Sequence, residues 1–215
     1  MTVDPCPSAG LHSLQLADVA DVEGAVWALT EAFDRYPWTR WTVPERDHAQ
    51  RLRGLFHISV SQIGLPFGDV WISRCEATGE IVGTAVAVRP DRVVPPELWQ
   101  RVAAAEEELM GERLTAAMDA EAACQPLKPA EPHVVLATIG VRRDHQRRGL
   151  ATALLRQVVS TACSLEVPTY LETSSDVNVN FYQRSGFSIV GSVQVPNGGP
   201  TVCGMLRPPR RTISA

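Results

Sequence analysis

Residues 140–158 read GVRRDHQRRGLATALLRQV and set four arginines, a glutamine and a glycine between a run of strand-formers and a run of helix-formers. Upstream, HVVLATIGV (133–141) is apolar and β-branched, the pattern of a central buried strand. Downstream, LATALLRQVVSTA (150–162) presents a broad apolar helical face. The stretch is therefore a turn from strand into helix, where several backbone N–H groups have no helical partner. Gly149 lets a bulky ligand approach the backbone, the helix dipole favours negative charge, and Arg142, Arg143, Arg147 and Arg148 add full positive charges. A pyrophosphate fits such a turn. An exposed basic loop capping a core helix would read the same way, and neither GxGxxG nor GxxxxGK[ST] occurs.

Outward from the turn, the remaining chain alternates strands and helices without an internal repeat. LHSLQLA (11–17) is strand-like, and Asp18 stands as an N-cap before Val22, Val26, Leu29 and Phe33, which share one helical face. DRYPWTRWTVPERDH (34–48) reads as a loop, and Leu52, Leu55, Phe56 and Val60 mark a second helix ending near Gly64. Residues 68–90 form a hairpin turned at Gly79 within EATGE. Residues 95–125, rich in alanine, glutamate, leucine and arginine and opened by Pro95 and Pro96, are helices inserted between strands. PTYLETS (168–174) is a strand, NVNFYQRSGF (178–187) a short helix closed by Gly186, and FSIVGSVQV and TVCGML the last strands. This order predicts an α+β fold with a mixed sheet.

Composition narrows the class. A 45% hydrophobic content over 215 residues supplies a single large core, which predicts one domain over 11–207 with a helical insert at 95–127. Residues 1–10 read as a disordered lead and 208–215 as a flexible tail. The net charge of −4 lacks the basic excess that nucleic acid demands, and no apolar run approaches the length of a membrane span. Five cysteines, Cys6, Cys75, Cys124, Cys163 and Cys203, are scattered and never paired as CxxC, so neither a disulfide framework nor a metal site is expected. A reduced, cytoplasmic setting follows.

Gln146-Arg147-Arg148-Gly149-Leu150-Ala151 resembles the Q/R-x-x-G-x-G/A motif of the GNAT N-acetyltransferase superfamily, which there holds the acetyl-CoA pyrophosphate. NVNFYQRSGF is similar to the family's downstream segment, in which an asparagine precedes F-Y-x-x-x-G-F. A closer likeness joins AFDRYPWTRWTVPER, EPHVVLATIGVRRDHQRRGL, PTYLETS and FYQRSGF to puromycin N-acetyltransferases and their antibiotic-resistance relatives, over roughly residues 13–207. Two departures stand out: Arg147 and Arg148 replace an expected Gly-Lys, and the hairpin and the loop before the last strand differ in length.

The resemblance implies the GNAT fold, a mostly antiparallel sheet flanked by helices, and transfer of acetyl from acetyl-CoA to the primary amine of a small molecule, a puromycin-like antibiotic. It assigns the cofactor to Gln146, Arg147, Arg148, Gly149, Leu150, Ala151 and Thr152, with Ile139, Gly140 and Val141 pairing their backbone with the pantetheine arm. Asn178 matches the asparagine that meets that arm, and it would also serve as an N-cap of its short helix. Tyr182 matches the tyrosine near the thioester sulfur, and a phenol of pKa about 10 is a competent donor to a thiolate. Packing of that ring against the sheet is the alternative.

Glu172 is a carboxylate in an otherwise apolar strand, and it reads either as the group that binds or deprotonates the substrate ammonium or as a residue on the open face of a splayed strand pair. His133, at the start of the central strand, is a rival base and more commonly a structural hydrogen-bonder. Tyr36, Trp38 and Trp41 form an aromatic acceptor region beside Phe33 and Trp99, and Asp34 next to them would attract a cationic amine or be solvated. The insert reads as a lid or a dimer surface, and the protein as a monomer or homodimer. Two other functions use the same features, a protein or peptide acetyltransferase and a non-catalytic acyl-CoA sensor.

Overall fold

Asp18 starts the first helix as its side chain suggests, though through a short 3-10 turn at Val19–Asp21. Its carboxylate accepts from the Ala20 amide at 2.8 Å, and Asp21 reaches back to the Asp18 amide at 3.1 Å. This capping box launches α1 (Val22–Phe33) out of β1 (His12–Leu16) in the computed structural model, which describes residues 11–209. The expected disordered lead, 1–10, lies outside the described residues, as does all of the tail but Pro208 and Pro209.

Residues 34–48 are not the continuous loop that the sequence suggests. Pro37 occupies the first turn of α2 (Pro37–Thr42), where its missing N–H costs nothing, and this helix carries both Trp38 and Trp41. α3 (His48–His57) follows and widens into a π-helical stretch over Ile58–Gly64 before the single turn of α4 (Leu65–Phe67). Pro66 lies two residues past that stretch and cannot donate to a regular ladder.

β2 (Gly68–Cys75) and β3 (Ile81–Val88) form the expected hairpin, with Gly79 at φ +73. The insert comprises α5 (Pro96–Met110) and α6 (Leu114–Cys124), joined through Gly111 at φ +49. Then come β4 (Val134–Val141), α7 (Leu150–Ser164), β5 (Thr169–Thr173), α8 (Asp176–Arg184), β6 (Ser188–Gln194) and β7 (Thr201–Arg207).

The seven strands make one sheet in the order β1-β2-β3-β4-β5-β7-β6, with β4 and β5 the one parallel pair. One face is covered by α7, whose Leu150, Leu154, Leu155 and Val158 are buried against the sheet. The other is covered by α1 and α3 through Val26, Leu29, Leu52 and Phe56. The insert docks at both ends: Leu98 and Val102 of α5 pack on Ile58 and Ile63, while Ala120 and Cys124 of α6 pack on Val195 and Val202.

Two irregularities in the central strands position the site. Val86 pairs with Thr138 but Ala87 with Leu136, so Ala137 is an extra residue and β4 bulges. β5 pairs with β4 only at Val134–Thr169 and Val135–Tyr170, after which the two parallel strands diverge. The edge of β4 that faces β5 is then without a strand partner, and a V-shaped opening runs into the middle of the sheet.

Candidate active site

The opening holds two cavities that meet at Tyr182 and Asn178. The larger is a cleft of about 560 Å³ beside the strand-to-helix turn. Ile139, Gly140 and Val141 form one wall, Gln146, Arg147 and Gly149 with Leu150, Ala151 and Thr152 form its base, and α8 forms the other wall.

Its electrostatics come from the backbone. Gly149 is left-handed at φ +80, and a Cβ built there would meet nothing within 4 Å, so the space above the turn is free of protein atoms. The first α7 bond runs from the Ala153 amide to the Gly149 carbonyl at 3.0 Å, which leaves the amides of 150–152 without helical partners. Arg147, left-handed at φ +61 without being glycine, is held in a strained conformation at this edge.

The four arginines do not act together as the sequence suggests. Arg142 turns away from the cleft to pair with Glu31 at 3.1 Å, Glu80 at 3.1 Å and Asp144 at 3.3 Å. Arg143 pairs with Asp34 at 3.7 Å, and Arg148 donates to the Asp144 carbonyl at 3.0 Å rather than lining the cleft. Only Arg147 of the four reaches it. Gln146 lines the cleft, but its amide donates to the Val141 carbonyl at 3.0 Å and fastens the turn to β4. Asp34, whose side chain is about one third exposed, is shared between Arg143 and, at 3.6 Å, Arg40, and it lines neither cavity.

The second cavity, about 190 Å³, lies on the α1–α2 side of the diverging strands and is lined by Phe33, Tyr36, Trp38, Thr138, Glu172 and Ser174. The Tyr36 hydroxyl accepts from the Ser174 amide at 3.1 Å and from its hydroxyl at 3.2 Å, leaving its proton for Thr173 Oγ1 at 3.2 Å. That residue thereby ties α2 to the end of β5 and shows the cavity its ring. Trp41 is not part of the lining. It packs with Val193, Val195 and Val202 beneath the β6–β7 turn, where a Cβ at Gly199 would come within 2.9 Å of its ring.

Glu172 points into this cavity and accepts from the Tyr170 hydroxyl at 2.9 Å. Burial pushes its carboxyl above the ordinary value, and the Tyr170 hydrogen bond and nearby Lys128 pull against that shift. Tyr182 is 7% exposed and stacks edge-on with Phe181 at 5.1 Å and Phe187 at 5.6 Å, so packing and a place at the junction coexist in one ring. Burial, and then Tyr36, push its phenol well up from its ordinary value, and the group stays a neutral O–H donor.

Asn178 is the third residue of α8, and Ser175 stands at the N-cap, so the asparagine is not the cap. His133 lines neither cavity, and its Nδ1 is 2.7 Å from the Glu131 carbonyl. Sequence reasoning missed Thr138, whose Oγ1 is buried without a partner at the acceptor cavity. Its one signal was a hydroxyl inside an apolar strand run. A third space, a groove of about 1090 Å³ between α5 and α6, shares Trp38 with the acceptor cavity and bears Trp99, Met118 and Glu106. Among the described residues, no group of three or more acidic, histidine or cysteine side chains could hold a metal, and no helix is long and apolar enough to cross a membrane.

Residues 27–187 match the Acetyltransferase (GNAT) family. The chain belongs to that family. As a GNAT enzyme it is an N-acetyltransferase with acetyl-CoA as donor, and the free amides of the turn, the open space over Gly149 and the unpaired β4 edge fit an acyl-CoA. Its fold is similar to that of a Corynebacterium glutamicum protein named histone acetyltransferase HPA2 and related acetyltransferase, with 26% identity, a TM-score of 0.72, and coverage of 94% of this chain and 99% of that one. It is also similar to Drosophila melanogaster polyamine N-acetyltransferase, which forms N-acetylagmatine, with 17% identity, a TM-score of 0.61 and coverage of 92% and 99%. An agmatine N-acetyltransferase shares the fold at 18% identity and a TM-score of 0.58, covering 91% of this chain and 98% of its own.

Proposed function

We propose that this GNAT enzyme acetylates the primary amine of a small aryl-bearing molecule, with a puromycin-like antibiotic as the first candidate. One observation carries the reading: the half-buried Glu172 carboxylate faces a small cavity walled by Phe33, Tyr36 and Trp38, next to the cleft that fits acetyl-CoA. An ammonium is drawn to the carboxylate, and a flat ring suits the walls. The α5–α6 groove beside Trp38 has room for the rest of the molecule.

Acetyl-CoA, when bound, supplies the acetyl thioester. The amides of 150–152 and the Arg147 guanidinium hold the pyrophosphate, and Asn178 with the free edge of β4 aligns the pantetheine arm. Glu172 receives the proton that the ammonium must lose before its nitrogen can attack, and burial, which raises its pKa, makes it a stronger base than an exposed carboxylate. The Tyr182 O–H donates a hydrogen bond at the junction, where negative charge develops on the departing side. Phe33, Tyr36 and Trp38 exclude water from the reacting nitrogen.

The test is CoA-thiol release by the purified protein with puromycin beside a panel of aminonucleosides, aminoglycosides, polyamines, agmatine and peptides. Saturable turnover of puromycin is the expected result. Turnover of a different amine alone would move the substrate and keep the chemistry, and a panel without any turnover would end the small-amine reading.

A further inference from the structure

α7 borders a second space beyond the cofactor cleft. Between its outer side and the C-terminal end of α8 runs a groove of about 610 Å³, lined by Arg156 of α7, Arg184 at the end of α8 and Arg207 at the end of β7. Thr152 and Arg184 line both spaces, so the groove continues the cleft. Arg156 lies one helical turn, about 6 Å, beyond Thr152 and the unpaired amides.

These arginines differ from others in the chain by what answers them. Arg74 is paired with Asp21, Arg89 with Asp69 and Asp91, and Arg142 with three carboxylates. Among the described residues, Arg156, Arg184 and Arg207 have no ion-pair partner, and no acid lines their groove. Gly186, at φ +87, contributes as well: a Cβ there would lie 3.1 Å from Arg207 Nε, so the glycine leaves room for that guanidinium across the turn. Three cations gathered in one groove of a chain with net charge −4 call for an anion, and planar guanidinium groups match a phosphate in geometry.

We infer that this groove binds the 3′-phosphate of coenzyme A. That group is a phosphomonoester near −2 in charge at neutral pH, and it sits on the adenosine that follows the pyrophosphate along the molecule. The inference rests on the cofactor cleft described above and adds a second anion site to it. The cleft grips the pyrophosphate by backbone amides, and the groove grips the terminal phosphate by side-chain charge.

Calorimetric dissociation constants for CoA and 3′-dephospho-CoA test it without turnover. The protein is expected to prefer CoA by about tenfold or more, since charged hydrogen bonds are at stake. Arg156→Ala and Arg207→Ala, which lie outside the cleft, should each shrink that preference severalfold with dephospho-CoA affinity retained, and adding Arg184→Ala should erase it. Arg53→Ala removes the same charge from a remote pair with Glu23 and should leave the preference intact. Equal binding of both ligands by the unaltered protein would overturn the 3′-phosphate site alone, as would variants that weaken both ligands in parallel. Failure of the unaltered protein to bind either ligand would overturn the cofactor cleft as well.

Discussion

The Tyr170 hydroxyl donates to Glu172 Oε1 at 2.9 Å, from two residues earlier on the same face of β5. That bond holds a carboxylate which burial disfavours, and its presence gives the pH behaviour of the site a sign. Burial raises the folded-state pKa of Glu172 above 4.5. A carboxyl with a raised folded pKa favours the folded state most below its unfolded value, and that advantage is lost as pH rises through the folded value. Glu172→Gln, which keeps an acceptor for Tyr170, should therefore equal the parent protein in stability near pH 4 and exceed it near pH 8. Urea unfolding at the two pH values measures the difference. Activity should fall by about 10²–10⁴-fold, the worth of a general base.

The same bond sets the acid limb of the rate profile. Because the Tyr170 hydrogen bond lowers the Glu172 pKa, Tyr170→Phe should raise it further and move the acid limb of kcat/KM to higher pH. The plateau above the limb should change little, since the carboxylate is still present. A profile that does not move would mean that Glu172 is not the group that titrates.

Tyr182→Phe separates the hydroxyl from its ring. The ring packs against Phe181 and Phe187, and the hydroxyl makes no hydrogen bond among the described residues. Stability should therefore hold within about 0.5 kcal/mol, because no bonded partner is orphaned. CoA affinity should hold as well, and kcat should fall by about 10²-fold or more if the phenol serves as donor. A drop in CoA affinity with kcat unchanged would assign the phenol to binding.

What the sequence made legible was local in origin. The strand-to-helix turn at Gly149, the hairpin at Gly79 and the α8 stop at Gly186 follow from backbone rules that act over a few residues, and each appears with a positive φ. Side-chain destinations depend on partners far along the chain, and there the sequence was silent. Arg142 looked like an anion ligand until Glu31 and Glu80 came alongside from α1 and the end of the hairpin turn. Thr138 looked like one more strand-former, and only the bulge beside it, with the divergence of β5, turns its unpartnered hydroxyl into a feature of a cavity. Trp38 and Trp41 were indistinguishable as neighbours in one segment, because what separates them is the α2 helix that composition did not reveal.

Those two tryptophans provide the last test. Their rings lie 6.2 Å apart on α2 and both pack on the cluster beneath the β6–β7 turn, yet of the two only Trp38 also faces the acceptor cavity. Trp38→Ala should raise KM for the amine about tenfold or more and leave CoA affinity unchanged, since Trp38 lines the acceptor cavity and not the cofactor cleft. Trp41→Ala should act on the fold, costing about 2–3 kcal/mol for a half-buried ring that leaves a void against Val195 and Gly199. Steady-state kinetics and chemical unfolding on the two variants distinguish the roles. Equal effects on KM from both substitutions would place the acceptor along the whole of α2 rather than in the cavity beside Glu172.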